Sequence, residues 1–283
     1  MNKLKPLPEE WLGLLNNEQK EAIENINGPL LIIAGAGSGK TRVLTYRYAH
    51  LIKTYGINFE NVLAITFTNK AANEMKDRIS DLLNLELSPK WISTFHSLCV
   101  KMLRIHGHLI GFNNNFTIYD QSDSTKLVRN CMRDSDIDTK QYSPKRIQAH
   151  ISSLKNQRIL PGEAVEFAQS FFDVKVAEIY SSYQKKLMLA NSMDFDDLLI
   201  KAVELLETSD KSLNYWSSKF QYIMIDEYQD TNMVQYRLVE LLASKHKNIC
   251  VVGDSDQSIY AFRGADIRNI EEFESCLLYT SDA

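Results

Sequence analysis

The chain has 283 residues, of which 44% are hydrophobic and 24% charged, a composition typical of a soluble globular protein with one large or two modest domains. Its net charge of −4 does not indicate binding of nucleic acid over the whole surface, so any such binding must come from local patches. The four cysteines form no CxxC pair, which indicates reduced thiols in a cytosol rather than a metal site or a disulfide scaffold. The sequence has no apolar run of membrane-spanning length and no signal peptide, so we expect a cytoplasmic protein without a membrane partner.

The N-terminal segment Leu14–Ile26 has apolar residues at helical spacing and predicts a helix capped by Asn16 or Asn17. Gln19 falls on the polar side of this helix. Its amide can both donate and accept hydrogen bonds, which suits the edge of an adenine base. A solvated surface glutamine is the simpler interpretation.

The stretch Gly28–Arg42, GPLLIIAGAGSGKTR, predicts a buried strand at Leu30–Ile33, a glycine-rich turn and then a helix. Glycines let the backbone aim its N–H groups at an anion, and the helix N-terminus adds a positive dipole. We therefore predict a phosphate-binding loop, in which Lys40 reaches the β- and γ-phosphates and the Thr41 hydroxyl holds Mg²⁺. The predicted loop contacts are Ala36, Gly37, Ser38, Gly39, Lys40, Thr41 and Arg42. The alternative is a glycine-rich turn before an ordinary helix, and Ala34 stands where the pattern has glycine.

Two further strands are predicted, each followed by residues that can contact nucleic acid. Asn61–Phe67 is the first, and the hydroxyl of Thr68 behind it either meets a nucleic-acid backbone or only caps the next helix. Trp91–Thr94 is the second, followed by Phe95 and His96. Ligands bind at the carboxyl ends of parallel strands, where an aromatic ring can stack on a single strand. Ordinary packing is the alternative for this pair.

The middle of the chain, from about residue 111 to 190, is polar and predominantly helical after one short strand at Phe116–Asp120. Pro144–Arg158 has apolar residues at helical spacing and no acidic residue, which predicts a helix with one packed face and one basic face. The basic residues are Lys145, Arg146, Lys155 and Arg158. They either contact phosphates or are merely solvated.

Three carboxylates, Asp194, Asp196 and Asp197, open the next predicted helix. A metal site is one interpretation of this acidic cluster. Because acidic residues at a helix start are favoured by the helix dipole, we prefer the dipole interpretation.

Two apolar strands in the last part of the chain end in further polar residues. Tyr222–Ile225 ends in Asp226 and Glu227, of which one carboxylate can hold Mg²⁺ and the next can accept a proton from an attacking water. Ile249–Val252 is followed by Gln257, which can sense a γ-phosphate. The aromatic side chains of Tyr260 and Phe262, which come next, offer surfaces for stacking on single-stranded bases.

Taken in order, these motifs resemble the N-terminal part of superfamily 1 DNA helicases of the UvrD/Rep/PcrA type. The resemblance covers residues 14 to about 272. The segments that carry it are LNNEQ with Gln19, Ala34–Arg42, Thr66–Met75, Thr94–Leu98, DFDDLL, Ile225–Thr231 and Val251–Ala265.

The resemblance implies ATP and Mg²⁺ as cofactors and a role for each motif. It implies adenine recognition by Gln19, Mg²⁺ binding by Thr41 and Asp226, activation of water by Glu227, and contact of Gln257 with the γ-phosphate. The catalytic residues that it implies are Glu227, Lys40 and Gln257. The residues that it implies along a single-stranded DNA path are Thr68, Phe95, His96, Tyr260 and Phe262. Many relatives have tryptophan where this chain has Phe262, so we expect weaker stacking there.

The expected fold is α/β, a RecA-like P-loop NTPase domain with a parallel sheet, interrupted by a mostly helical subdomain. Residues 1–110 and 191–275 would form the ATP-binding domain and residues 111–190 the helical insertion. Residues 276–283 do not continue the family pattern, and we expect a non-native or truncated tail there. The family's second RecA-like domain supplies arginines to the γ-phosphate, so the isolated chain is expected to hydrolyse ATP poorly.

The function implied by the resemblance is ATP-driven translocation along single-stranded DNA, with 3′-to-5′ unwinding at single-strand/duplex junctions. Two other classes stay open. The chain could be a module that binds nucleotide or single-stranded DNA without catalysis. It could also be a P-loop kinase or an ATPase that does not act on DNA, against which the aromatic residues Tyr260 and Phe262 argue.

Overall fold

The computed structural model describes residues 5–35, 37–85 and 89–254. The strands, in chain order, are β1 (Leu30–Ile33), β2 (Val62–Thr66), β3 (Ile92–Thr94), β4 (Thr117–Tyr119), β5 (Ser192–Asp194), β6 (Tyr222–Ile225) and β7 (Ile249–Gly253). The helices are α1 (Glu9–Leu12), α2 (Asn17–Glu24), α3 (Lys40–Lys53), α4 (Asn69–Leu83), α5 (Phe95–His106), α6 (Gln121–Asp134), α7 (Pro144–Asn156), α8 (Phe171–Leu189), α9 (Phe195–Thr208), α10 (Asp210–Lys219) and α11 (Met233–Ala243). These elements form two compact units.

The first unit contains a five-stranded parallel sheet in the order β1-β7-β6-β2-β3. It comprises the described parts of Met1–Leu98, Asp210–Thr231 and Val239–Ala283. Helices α3 and α4 pack on the sheet through Leu44, Tyr48, Met75 and Ile79. Because all strands run the same way, the segments that follow them emerge at one edge of the sheet. The predicted α/β fold with a parallel sheet is confirmed.

Strand β1 differs from the prediction in its burial. We expected a buried strand at Leu30–Ile33, but its residues are only partly covered and Ile33 is 52% exposed. The reason is its place in the sheet, since β7 is the one strand that pairs with β1 among the described residues. By contrast, every residue of β2, β6 and β7, which each have neighbours on both sides, is buried.

The second unit is predominantly helical and comprises Cys99–Ser209 and Asn232–Leu238. Its core joins α6, α7 and α8 through Val128, Ile147 and Tyr180. It is broader than the predicted insertion of residues 111–190, because β5 pairs in parallel with β4 and α9 packs against α7. Strand β5 has no apolar run, and the sequence analysis did not find it.

Helix α7 confirms the packed face predicted for Pro144–Arg158 but corrects its basic face. Ile147, Ile151 and Leu154 are buried as expected. Lys155 was expected on the basic face, yet it is 1% exposed, and its Nζ lies 2.7 Å from both Asp194 Oδ2 and Asp197 Oδ1. Its spacing explains this, because position 155 is one helical turn after Ile151.

The acidic cluster at the start of α9 forms a helix cap. Asp194 Oδ1 accepts the N–H of Asp197, and Asp197 Oδ2 accepts the N–H of Asp194. Within the described ranges, no group of three or more His, Cys, Asp or Glu residues is arranged to hold a metal ion. The two hydrogen bonds of the cap place Asp194 and Asp197 in the role at the helix start that we preferred from the sequence. None of the helices in the part of the chain that the structure describes has the length and apolar character needed to cross a membrane.

We expect the stability of the first unit to depend on pH through His50. This side chain of α3 is fully buried, and burial followed by the charge of Arg47 lowers its pKa from the ordinary 6.5 to about 4. The unfolded chain takes up a proton near pH 6.5 and the folded chain does not, so stability is complete above pH 6.5 and is lost as the pH falls towards 4. The contribution of His50 to this loss should reach about 3 kcal/mol, measured as the difference between the parent chain and His50→Leu in urea unfolding at pH 7 and pH 4.

The matched control is His108, which is exposed. Replacing His50 with leucine should flatten this part of the pH dependence, whereas His108→Leu should leave it unchanged. An unaltered slope in His50→Leu would show that another group is responsible.

Candidate nucleotide site

The loop between β1 and α3 has the tight backbone that its glycines predict. Gly37 and Gly39 have φ values of +74° and +87°, in the left-handed region that favours glycine. The N–H of Ser38 donates to Gly35 O at 3.3 Å, and α3 begins immediately after Gly39. Ala36, another predicted loop contact, lies outside the described residues.

Lys40 begins α3 and its side chain folds back beneath the loop. Its Nζ donates to Ala34 O at 2.8 Å, to Gly35 O at 3.1 Å and to Asp254 Oδ2 at 3.1 Å. The side chain is 8% exposed. The ammonium group is therefore held at the loop, where the sequence analysis expects the phosphates.

Thr41 and Asp226 come together from two different elements. The Thr41 hydroxyl on α3 donates to Asp226 Oδ2, at the end of β6, at 2.8 Å. Burial raises the pKa of Asp226, the hydrogen bond from Thr41 opposes that rise, and the neighbouring charge of Glu227 adds to it. A hydroxyl and a carboxylate are the oxygen ligands that Mg²⁺ prefers, so this pair fits the ion.

Glu227 occupies a strained backbone position beside this pair. Its φ is +52°, and its N–H donates to Asp226 Oδ1 at 3.1 Å. Non-glycine residues in this conformation are uncommon and cluster at functional sites. Next to it, burial and the charge of Glu227 raise the pKa of Asp230 to about 6.

Gln229 joins Glu227 to the end of β7. This side chain is 1% exposed. Its Nε2 donates to Glu227 Oε2 at 2.7 Å, and its Oε1 accepts the backbone N–H of Asp254 at 3.0 Å. Neither Gln229 nor Asp254 has a role predicted from the sequence. The signal that could have found them is the presence of polar residues directly after two neighbouring buried strands.

Gln19 lies against the phosphate loop. It completes a capping box with Asn16 at the start of α2, and its Nε2 donates to Ser38 O at 3.0 Å. The structure therefore brings the residue expected to recognise adenine next to the loop expected to bind phosphate. Arg42 is exposed, with Cζ 5.5 Å from the centroid of the Tyr46 ring.

The family model of the UvrD/REP helicase N-terminal domain matches residues 15–277. The chain belongs to this family. The ATP-dependent DNA helicase PcrA of Staphylococcus aureus is 50% identical over 263 residues, 93% of this chain and 36% of that relative. PcrA of Staphylococcus epidermidis is 50% identical over 260 residues, which cover 92% of this chain and 36% of that relative. The chain thus spans about a third of the length of these relatives.

The residues of this UvrD/REP-family chain that are expected along a DNA path differ in their accessibility. Thr68 is exposed and its Oγ1 caps α4 by accepting the N–H of Ala71 at 3.1 Å. Phe95 is 2% exposed and meets the Phe67 ring edge-on at 5.7 Å, so it is a packing residue here and not an open stacking surface. His96 is partly exposed, and burial lowers its pKa. The other predicted site residues, Gln257, Tyr260 and Phe262, lie outside the described residues.

We expect Gly39→Ala to lower the free energy of unfolding by about 1–2 kcal/mol, because an L-residue is strained in the left-handed region. A Cβ at this position would also lie 2.9 Å from Gln19 Nε2. Urea unfolding measures the effect. The matched control is Gly13→Ala, since Gly13 has a φ of −79° and an added Cβ there meets nothing within 4 Å. Equal stabilities of the two variants would contradict the expectation.

Proposed function

We propose that this chain is the ATP-binding N-terminal part of a DNA helicase that hydrolyses Mg-ATP to move 3′ to 5′ along single-stranded DNA in the cytoplasm. The observation that carries the proposal is the convergence of Lys40, Thr41, Asp226 and Glu227 at the carboxyl ends of β1 and β6. These groups supply a cation, oxygen ligands and a carboxylate at one place. Phosphoryl transfer requires these three elements together.

Each group has a task in ATP hydrolysis. The loop N–H groups and Lys40 bind the phosphates, and Gln19 beside Ser38 reads the adenine edge. Thr41 and Asp226 would hold Mg²⁺, which when bound neutralises charge on the phosphate oxygens. Glu227 takes the proton of the attacking water, and Gln257 contacts the γ-phosphate.

DNA binding is the second part of the proposal. Thr68 and His96 follow β2 and β3, at the same edge of the sheet as the nucleotide loop. Their positions support a path for single-stranded DNA and for single-strand/duplex junctions, to which Tyr260 and Phe262 would add stacking surfaces. The Phe95 ring would contact DNA only after moving out of its packed position.

The test is steady-state ATP hydrolysis with and without oligo-dT, together with binding of a fluorescent ATP analogue. We expect nucleotide binding and slow, DNA-stimulated turnover by the chain, and loss of both in Lys40→Ala. Lys53→Ala, at the other end of α3, is the matched control and should behave like the parent. Absence of nucleotide binding in the parent chain would refute the proposal.

Two outcomes would favour the alternative functions. Binding of nucleotide and DNA without turnover would identify a binding module. Turnover that DNA does not stimulate, with no binding of oligo-dT at low salt, would identify an ATPase that does not act on DNA. Low salt is the decisive condition because contacts to DNA phosphates are strongest at low salt.

A further inference from the structure

A carboxylate from a neighbouring strand already bonds the lysine of the phosphate loop. Asp254 follows β7 directly and is 3% exposed, and its Oδ2 lies 3.1 Å from Lys40 Nζ. Sheet register produces this contact: Gly253 pairs with Ile33, and the N–H of Ala34 donates to Gly253 O at 3.1 Å. Residue 254 is therefore held beside the start of the loop.

A second restraint on Asp254 comes from the side chain of Gln229. Gln229 Oε1 accepts the backbone N–H of Asp254 at 3.0 Å, and Gln229 is almost completely buried. Because strand register and a buried side chain both restrain residue 254, its carboxylate is placed at Lys40 by the fold. It is not a mobile surface side chain that happens to lie there.

We propose that Asp254 determines nucleotide affinity by acting as a built-in competitor, which the β- and γ-phosphates must displace from Lys40. The inference rests on the proposed function of the loop. An ammonium group has three donors, and here Ala34 O, Gly35 O and the Asp254 carboxylate accept all three. A phosphate can bond Lys40 only when one partner is released. The carboxylate is the partner with a negative charge, so it repels the incoming phosphates.

Because of this competition, the free energy of the Asp254–Lys40 ion pair affects the binding free energy of the ligand. The free energy that holds Asp254 on Lys40 is subtracted from the binding free energy of any ligand that takes its place. A ligand without β- and γ-phosphates does not reach Lys40 and is unaffected. Asp254 therefore lowers the affinity for triphosphates selectively, and removing its charge should raise that affinity.

The experiment measures binding of AMP-PNP and of AMP to the full chain with Mg²⁺ by isothermal titration calorimetry. Asp254→Asn keeps the shape of the side chain and the backbone N–H to Gln229, but it removes the charge. We expect its Kd for AMP-PNP to fall about tenfold and its Kd for AMP to stay the same. Asp254→Glu retains the carboxylate and should keep the affinity of the parent.

The matched control is Asp77→Asn, an exposed carboxylate on α4, which should leave both affinities unchanged. If Asp254→Asn does not fold, Asp254→Ser removes the same charge and is expected to show the same tenfold gain. Unchanged or weaker AMP-PNP binding by the neutral variants overturns the inference but leaves the proposed function intact, provided that the parent binds AMP-PNP. A parent that binds no AMP-PNP overturns both.

Discussion

Replacing Lys155 with methionine is expected to lower the free energy of unfolding by about 3–5 kcal/mol, because it leaves buried carboxylates without their cation. The Lys155 side chain is completely inaccessible and contacts Asp194 and Asp197 at 2.7 Å each. Burial alone would lower the pKa of Lys155, but the charges of Asp197 and Asp194 more than reverse this and raise it. The cation is therefore retained inside the second unit.

The carboxylates also accept hydrogen bonds from two other side chains. Tyr183 OH donates to Asp194 Oδ2 at 2.8 Å, and Gln184 Nε2 donates to Asp197 Oδ1 at 2.9 Å. Burial raises the pKa of Asp197 to about 6 even with Lys155 beside it. Without the lysine, the charged form of Asp197 would be still less favourable. The free energy of unfolding of the variant should therefore fall by more than the contribution of one hydrogen bond.

The measurement is urea unfolding at pH 7, and the matched control is Lys145→Met. Lys145 lies near the start of the same helix but is exposed, so its replacement should change stability by less than about 0.5 kcal/mol. Adding Asp197→Leu to Lys155→Met should restore part of the stability, since a buried ion pair can be replaced by apolar residues at little cost. A loss below about 1 kcal/mol in Lys155→Met would contradict a buried ionic role.

Replacing Glu227 with glutamine is expected to slow ATP hydrolysis by about 10²–10⁴-fold while leaving nucleotide affinity within about threefold. Glutamine has nearly the same shape but cannot take a proton from water. Gln229 Nε2 can still donate to the remaining side-chain oxygen, so the local structure should persist. The phosphate contacts of the loop and Lys40 are not altered.

Single-turnover hydrolysis of labelled ATP with saturating oligo-dT measures the rate, and a fluorescent analogue measures the affinity. Glu74→Gln is the matched control, because Glu74 is an exposed residue on α4. Loss of affinity in Glu227→Gln together with the rate would indicate a structural role. An unaltered rate would show that another group accepts the proton.

Much of the first unit could be predicted from sequence. Strands β2, β6 and β7 are apolar runs bounded by polar or glycine residues, and their bounds agree with the prediction within about one residue. The positions of Lys40 and Asp226 could be predicted for a related reason. Lys40 opens a helix and Asp226 ends a strand, so parallel strand order brings them to one edge of the sheet.

The predictions failed where a residue's environment depended on a distant element. Strand β5 is only Ser192–Asp194, without an apolar run, and it exists because β4 lies beside it. The exposure of Ile33 follows from the position of β1 in the sheet order. For Phe95 the sequence left packing and DNA contact open, and the structure shows a ring that is 2% exposed and lies edge-on to Phe67.

The sequence alone predicts a phosphate-binding loop and an acidic strand end, because a glycine-rich turn, a helix start and an acidic strand end are local patterns. Which charged groups meet depends on how the strands and helices pack together. Lys40 and Asp254 are 214 residues apart, and Lys155 is 39 residues from Asp194. Local periodicity reports which face of an element is covered, but it does not identify the partner across the fold. For that reason, the sequence does not predict these two ion pairs. The largest expected stability effect depends on one of them, and the inference about nucleotide affinity depends on the other.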